Sequence, residues 1–487
     1  MGMATQLEEA VVRRGSRPGN RWWALGFLAL AQFMVVLDGT IVNLALPRLQ
    51  LEMGISDATR SWVVTAYALA FGAFLLLGGR IADFWGRKRT FLVAAVGFAV
   101  ASLVGGIAQQ PWELIGARAL QGVFAALLAP AALALLTVDF PGGKDRGTAF
   151  AIFGSITGVG AAAGVLLGGF LTEHVSWRWC FFVNVPTAAI ALFGVWSLVS
   201  DSRAQGSTKY DWPGVILAAL GLGSLVYGFT NAEHGWDAPE AWGFIAAGAV
   251  LLAVFVLVET KVRHPLLPLR VATERNRAAA FLASFLSGAV LIGGILFINF
   301  YIQIVLGFAP FLAGLASLPM TVALIITAGL VAKNLPKLGA KIPTAVGPVF
   351  MAAAMLWLTQ VSAEGSYFVN MLPALLLLGI GLGMVFVPMQ NLALFGVDKD
   401  DSGVASALVN ASQQIGGSLG IALFSTIAAA ATAGGVTLAA LSAGYALVFL
   451  WAAGVAILIA PVALLLINID RETFTGSAGD TPVVHLG

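Results

Sequence analysis

Asp38 and Arg118 are the one acidic and the one basic residue set deep inside hydrophobic runs of a chain that otherwise reads as membrane from residue 22 to about 468. A charge at bilayer depth costs roughly 2.5–3.5 kcal/mol even on the mildest insertion scale, so such a residue is expected to face a wet cavity or a partner and to mark a transport path. A carboxyl group can take up and release one proton, whereas a guanidinium stays charged and acts on its neighbours. Asp38 lies nine residues before Pro47 on a run expected to go outward, and Arg118 seven residues after Pro111 on one expected to go inward. At 1.5 Å per residue both sit roughly 10–13 Å below the same surface, within reach of each other if the first and fourth spans are neighbours. Burial disfavours an ionised carboxyl while a nearby guanidinium favours it, so a change in exposure or in Arg distance would switch proton binding. The competing possibility is a static ion pair joining two helices.

The elements that must position this pair follow from composition. Hydrophobic residues make up 59% of the 487 positions and charged residues only 10%, a balance that excludes a solvated globular surface and specifies an all-α integral membrane protein. Runs near the ~20 residues needed to cross the hydrocarbon core occur at 22–47, 60–79, 90–108, 112–138, 148–171, 180–200, 213–231, 241–259, 278–303, 311–332, 342–360, 367–396, 403–428 and 441–468. With the N-terminus inside, these 14 spans place 22 of the 26 Lys and Arg in cytoplasmic segments, leaving Arg48, Arg60 and Arg178 outside and Arg118 within. Dropping one span would reverse every later loop, so the positive-inside bias predicts an even count with both termini cytoplasmic. The first run is too long for a signal-peptide core and is expected to stay uncleaved.

Charged segments Asp201 to Trp212 and Lys261 to Arg277 flank the seventh and eighth spans. They predict a cytoplasmic arm (1–21), a six-helix bundle (22–200), a linking helix pair (201–277), a second six-helix bundle (278–468) and a cytoplasmic tail (469–487). Secondary transporters are commonly built from such halves, with the substrate site between them. No loop is long enough for a soluble nucleotide-binding or catalytic domain. Gly158, Gly160 and Gly164, or Gly379, Gly381 and Gly383, sit inside apolar runs with no preceding strand and no Gly-Lys-Ser/Thr, which argues against a phosphate loop. His174, His234, His264 and His485 fall in loops or the tail, and Cys180 is the only cysteine, so neither a metal site nor a disulfide is expected. The formal charge of +2 reflects loop topology and gives no reason to expect nucleic-acid binding.

The loop after the second span reads Gly79-Arg-Ile-Ala-Asp83-Phe-Trp-Gly86-Arg87-Lys88-Arg89. Its glycines allow a tight turn and close helix approach, and Asp83 can cap a helix N-terminus or join an ion network. With this loop the chain resembles the major facilitator superfamily, and further stretches narrow the resemblance to its 14-spanner drug:proton antiporter family. Leu37-Asp38-Gly-Thr40 through Asn43 to Pro47 resembles the first-helix signature, and Arg118-Ala-Leu-Gln121-Gly122 with Pro130 the fourth-helix motif. Trp177-Arg178-Trp179 through Asn184 to Pro186 resembles the start of the sixth helix. Tyr301-Ile-Gln303 with Gly307, Pro310, Gly314 and Pro319 resembles the ninth and tenth. Gly160, Gly164, Gly168 and Gly169 on the fifth span resemble the antiporter motif, and four-residue spacing puts the first three on one helix face. Proline usually follows the middle glycine of that motif; here Val165 does, which weakens the antiport inference and leaves the fold untouched.

The resemblance implies proton coupling through Asp38 and Arg118, a hydrophobic small-molecule substrate, no cofactor and no enzymatic activity, in a bacterial-type cytoplasmic membrane. No obligate protein partner is evident; the partners expected are substrate, protons and the lipid bilayer. The last six spans carry no mid-membrane Asp or Glu, so a second acidic anchor for dications is missing and mono-cationic or neutral substrates are expected. Met34, Gln121, Asn299, Tyr301, Gln303, Asn410 and Gln414 are the candidate cavity residues. Within transport, the alternative is a facilitator or an exporter not coupled to protons; outside it, a membrane sensor that retained the fold. Gly79, Asp83, Gly86, Arg87 and Lys88 are expected to stabilise one closed cytoplasmic state, with Asp83 acting against the start of the thirteenth helix near Ser402. Replacing Asp83 by Asn should then alter the inward/outward balance, and unchanged populations in accessibility labelling would sink the idea.

Overall fold

The computed structural model describes residues 20–140, 143–202, 211–231, 239–262, 265–397, 402–432 and 437–469. Among them, fourteen helices are long and apolar enough to cross a membrane. In chain order they are α1 (Arg21–Met53), α2 (Thr59–Trp85), α3 (Arg87–Ile107), α4 (Pro111–Asp139), α5 (Thr148–His174), α6 (Trp179–Leu198), α7 (Trp212–Asn231), α8 (Pro239–Glu259), α9 (Arg275–Val305), α10 (Pro310–Leu338), α11 (Lys341–Leu358), α12 (Tyr367–Leu394), α13 (Val404–Thr432) and α14 (Leu438–Leu466). Most of the expected arm and of the tail lies outside the described residues, as do Arg203, Lys209, Lys399 and the side chain of Ser402. Each predicted run overlaps one of these helices, with the runs ending at 108, 200, 360, 396 and 468 passing the helix end by one or two residues and several helices overrunning their apolar stretch. α1 continues through Pro47 to Met53 and ends at Gly54, whose φ of 62° accepts the left-handed turn.

Helices α1–α6 form one bundle and α9–α14 a second, with α7 and α8 packed on each other and α7 touching both α2 and α13. Tryptophans exposed near helix ends, including Trp23, Trp112 and Trp212, suit the headgroup boundary, and exposed Val, Leu and Ile between them suit lipid tails. The bundles meet along α2 with α13 and α5 with α10. The polar and aromatic contacts between them gather at the face poor in basic residues. There Ser61 and Ser425 hydrogen-bond at 2.9 Å, Glu173 accepts from the Phe311 backbone at 3.0 Å, and the Arg60 guanidinium lies 3.7 Å from the Phe300 ring centre. That face is closed.

At the basic-rich face, turns and caps fix the helix ends. Gly86 joins α2 to α3 with φ 124°, a conformation that excludes a side chain in practice. Lys88 donates to the Trp196 and Val199 carbonyls at 2.7 and 2.6 Å, placing a cation at the C-terminus of α6. Asp211 caps α7 through the Gly214 N–H at 2.9 Å, and Glu259 accepts from the Leu267 N–H at 3.0 Å. The remaining oxygens of both carboxyls are buried together over Gly214.

Glu274 caps α9, accepting from the backbone N–H of Asn276 at 3.2 Å and of Arg277 at 3.0 Å. Partial burial raises this carboxyl, but the Arg277 and Asn276 backbone donors, the Asn276 amide and the Arg277 charge outweigh it and hold it below the usual carboxylate range. Because the folded value is depressed, the stabilisation is present above the unfolded value and is lost as pH falls through the folded one. Glu274→Ala should cost about 1 kcal/mol at neutral pH, with the deficit shrinking under acid; thermal unfolding of the detergent-solubilised protein across pH checks both.

Candidate functional site

Asp38 and Arg118 meet. Arg118 Nη1 lies 2.6 Å from Asp38 Oδ2, with the side chains 1% and 0% exposed. α1 presents Asp38 toward α4 and α6, and both supply donors. Asp38 Oδ1 accepts from the Gln121 amide at 3.0 Å and from the Asn184 amide at 2.7 Å. The guanidinium is held in turn: its Nε donates to the Val63 carbonyl at 2.9 Å and Nη1 to Gln121 Oε1 at 2.9 Å. Its plane lies 4.2 Å from the centre of the Tyr67 ring, a cation–π contact strengthened by the absence of water. Gln121 also donates to Ser102 on α3 at 2.8 Å, and Tyr67 donates to the Val35 carbonyl at 3.3 Å.

Five helices of the first bundle thus converge on one carboxylate. A buried ion pair offsets its desolvation only when good geometry and further hydrogen bonds satisfy both ions, and here three donors serve Asp38. The arrangement suits the ionised carboxyl, which can only accept. In this conformation no solvent reaches it, so a proton can exchange only after the helices around it move.

Sequence reasoning placed Asn184 in a motif without a role, and it passed over Tyr67, Ser102 and the Val63 carbonyl. An Asn inside an apolar run was the available signal for Asn184, since a buried amide requires partners. The other three are ordinary residues for a transmembrane helix and carry no signal until the fold places them.

The basic loop is an ion network. Arg87 Nη2 sits 3.0 Å from Asp83 Oδ1, Arg89 pairs with Asp201 at 3.3 Å, and the Arg87 N–H donates to the Ser202 carbonyl at 3.0 Å. Asp83 therefore serves Arg87 one turn along, while the expected contact near Ser402 lies outside the described side chains. Close approach to α4 falls to Gly78, where a Cβ would overlap the Ala126 carbonyl; at Gly79 the nearest atom is Pro130 Cβ at an ordinary 3.8 Å.

The candidate cavity residues separate. Gln121 belongs to the Asp38 network, and Met34 is 1% exposed in the core of the first bundle. Tyr301, fully buried, donates its hydroxyl to the Ser362 carbonyl at 2.8 Å, and Asn299 is buried beside Ser317. These four line no open cavity here, because their packing and hydrogen bonds occupy them. Asn299 and Gln303 do not form a regular helical pair either, since Tyr301–Val305 is wound as a π-helix. Gln303 is half-buried and its Nε2 has no partner. Asn410, which donates to the Ser406 carbonyl at 3.1 Å, and Gln414, beside Gly72 of α2, also keep partial exposure. Two grooves of about 220 and 320 Å³ lie elsewhere, between α7 and α8 and between α3 and α6.

The α5 glycines bind the Asp38 helix. Gly160 faces Val36, Gly164 faces Thr40 and the Leu37 carbonyl, and Gly168 faces the Ile41 carbonyl, so the backbone of α5 lies on the turns of α1 that flank Asp38. Gly169 points the other way, against Pro310 and Phe311 of α10, and the Val165 carbonyl meets Gly314 there. The motif therefore joins the Asp38 helix to the seam between bundles.

A family profile described as Major Facilitator Superfamily matches residues 28–421. The puromycin resistance protein pur8 of Streptomyces alboniger is 42% identical, covering 97% of this chain and 97% of its own. The cephamycin export protein CmcT of Amycolatopsis lactamdurans is 34% identical, covering 97% and 98%. Among solved structures, a bacterial homologue of the human lysosomal transporter Spinster superposes with a TM-score of 0.66 at 15% identity, over 95% of this chain and 99% of that one, which speaks to fold alone.

A Cβ at Gly164 would collide with Thr40 Oγ1 and crowd the Leu37 carbonyl. Gly164→Ala should destabilise the protein by about 1–3 kcal/mol, the usual cost of overpacking, and depress transport. Adding Thr40→Ala removes the nearer clash and should recover part of both, measured as thermal stability in detergent and substrate flux in liposomes.

Proposed function

The chain belongs to the Major Facilitator Superfamily, within its 14-spanner drug:proton antiporter family, and is a small-molecule exporter; from that premise we propose that it exchanges protons for hydrophobic mono-cationic or neutral compounds by alternating access. The observation that carries this reading is Asp38, a carboxylate at bilayer depth, fully buried and held by donors from α4 and α6. Nothing in a static helix–helix contact requires a charge there, since an apolar pair of the same volume is often as stable.

In the proposed cycle Asp38 takes a proton when open to the outside and releases it when open to the inside. Substrate competes for the protonated carboxyl's conformation, and Arg118 draws the ionised carboxylate back into its network. The face closed in this structure, poor in basic residues, is assigned to the outside by the positive-inside bias. Gln303, with its unpartnered amide, and the partly exposed Asn410 and Gln414 are proposed to orient substrate from the second bundle. Exchange of one proton for one monovalent cation is electrically neutral, so the pH gradient alone drives it at about 1.36 kcal/mol per unit. With a neutral substrate, membrane voltage adds about 2.3 kcal/mol per 100 mV.

Val165, in the place where the antiporter motif usually has proline, favours a second reading in which the chain moves substrate without protons. Reconstitution in liposomes with a pH-sensitive dye separates the two. Substrate-evoked proton flux that vanishes in Asp38→Asn is the outcome expected of antiport. Substrate flux without protons, equal in wild type and Asp38→Asn, would assign Asp38 a structural role.

A further inference from the structure

The Asp38 network satisfies an ionised carboxylate, and resting on the antiport reading it must also accommodate the protonated form. A carboxylic acid needs an acceptor for its hydrogen. Arg118 offers none, because a guanidinium only donates. The Val63 carbonyl is engaged by Arg118 Nε. Gln121 Oε1 is engaged by Arg118 Nη1, and its Nε2 is divided between Asp38 and Ser102. Asn184 differs: Nδ2 is 2.7 Å from Asp38 Oδ1, while Oδ1 is buried and has no partner.

We propose that Asn184 is a positioning residue that follows the protonation state of Asp38, donating to the carboxylate through Nδ2 and, after a half-turn of its amide, accepting from the carboxylic acid through Oδ1. The half-turn exchanges donor for acceptor without displacing the backbone, and the spare lone pairs of Oδ1 are the buried capacity that the ionised state leaves unused. Asn184 sits at the irregular step in α6, where Trp179–Phe182 and Asn184–Leu198 meet at Val183. A hydrogen bond remade there acts on a helix already broken at that point. Arg118 from α4, Tyr67 from α2 and Cys180 at the start of α6 are the other ionisable groups that face this centre; Arg118 and Cys180 carry no acceptor oxygen, and the Tyr67 hydroxyl is directed to the Val35 carbonyl.

Infrared difference spectra recorded between acid and alkaline pH on the reconstituted protein test this. The wild type should show a carboxylic-acid carbonyl band that is missing in Asp38→Asn. In Asn184→Leu, matched in shape but unable to accept, the band should move to higher wavenumber, while Asn184→Gln, which keeps the amide, should hold it nearer the wild-type position. The pH midpoint of substrate-evoked proton flux should shift in Asn184→Leu and less in Asn184→Gln. Asn184→Ala serves if the Leu variant does not fold. A band and midpoint unmoved in Asn184→Leu or Asn184→Ala would overturn the role of Asn184 while leaving Asp38 as the proton carrier. A wild type with no Asp38 band at any pH would overturn the carrier itself.

Discussion

A pair of opposite charges placed where water does not reach is the constraint around which the first bundle is organised. Neither ion is tolerable alone at that depth, and together they demand donors and acceptors on several sides at once. The chain meets the demand from five helices: the carboxylate from α1, the guanidinium and an amide from α4, a second amide from α6, a hydroxyl from α3, and a backbone carbonyl with an aromatic face from α2. Each of those helices is thereby fixed in rotation as well as position. The glycine face of α5 then closes the arrangement by lying directly on the backbone beside Asp38.

The second constraint is the seam between bundles. Its polar contacts concentrate at the face poor in basic residues, through Ser61 with Ser425, Glu173 with the Phe311 backbone, and Arg60 over Phe300. These are few and small, and each links residues on rigid helices. A seam of that kind can part without unravelling secondary structure, which alternating access requires. Because Gly164 and Gly168 hold α1 while Gly169 and Val165 meet α10, α5 touches both the Asp38 helix and the seam, as α2 does through Val63 and Tyr67 on one side and Ser61 on the other.

Much of this was legible in the sequence, for physical reasons that can be named. Span number and loop polarity are written in composition, because the bilayer imposes length and the basic residues follow one face. Asp38 and Arg118 stood out since charge at depth is rare, and their depth estimates agreed because both helices cross the same slab. Asn184 was visible only as part of a motif, and Tyr67 and the Val63 carbonyl not at all, because aromatic residues and backbone groups are present everywhere in such a chain. The candidate cavity residues show the complementary limit of a sequence. Tyr301 and Gln121 are polar residues in apolar helices, and sequence cannot tell a side chain that awaits a ligand from one already bonded to Ser362 or to Asp38. The π-helical turn at Tyr301–Val305 further displaced Gln303 from its expected register with Asn299.

Among the described residues, every hydrogen-bond partner of the Asp38–Arg118 pair belongs to the first bundle, whereas Gln303, Asn410 and Gln414 belong to the second. Among the described residues the two sets share no hydrogen bond. If Gln303, Asn410 and Gln414 orient substrate and Asp38 carries the proton, as proposed, mutational drift in α9 and α13 can reshape what the protein accepts while the proton-bearing half is inherited unchanged. On that reading a lineage meeting a new substrate has one half of the molecule free to explore, and the separation of parts makes the scaffold evolvable.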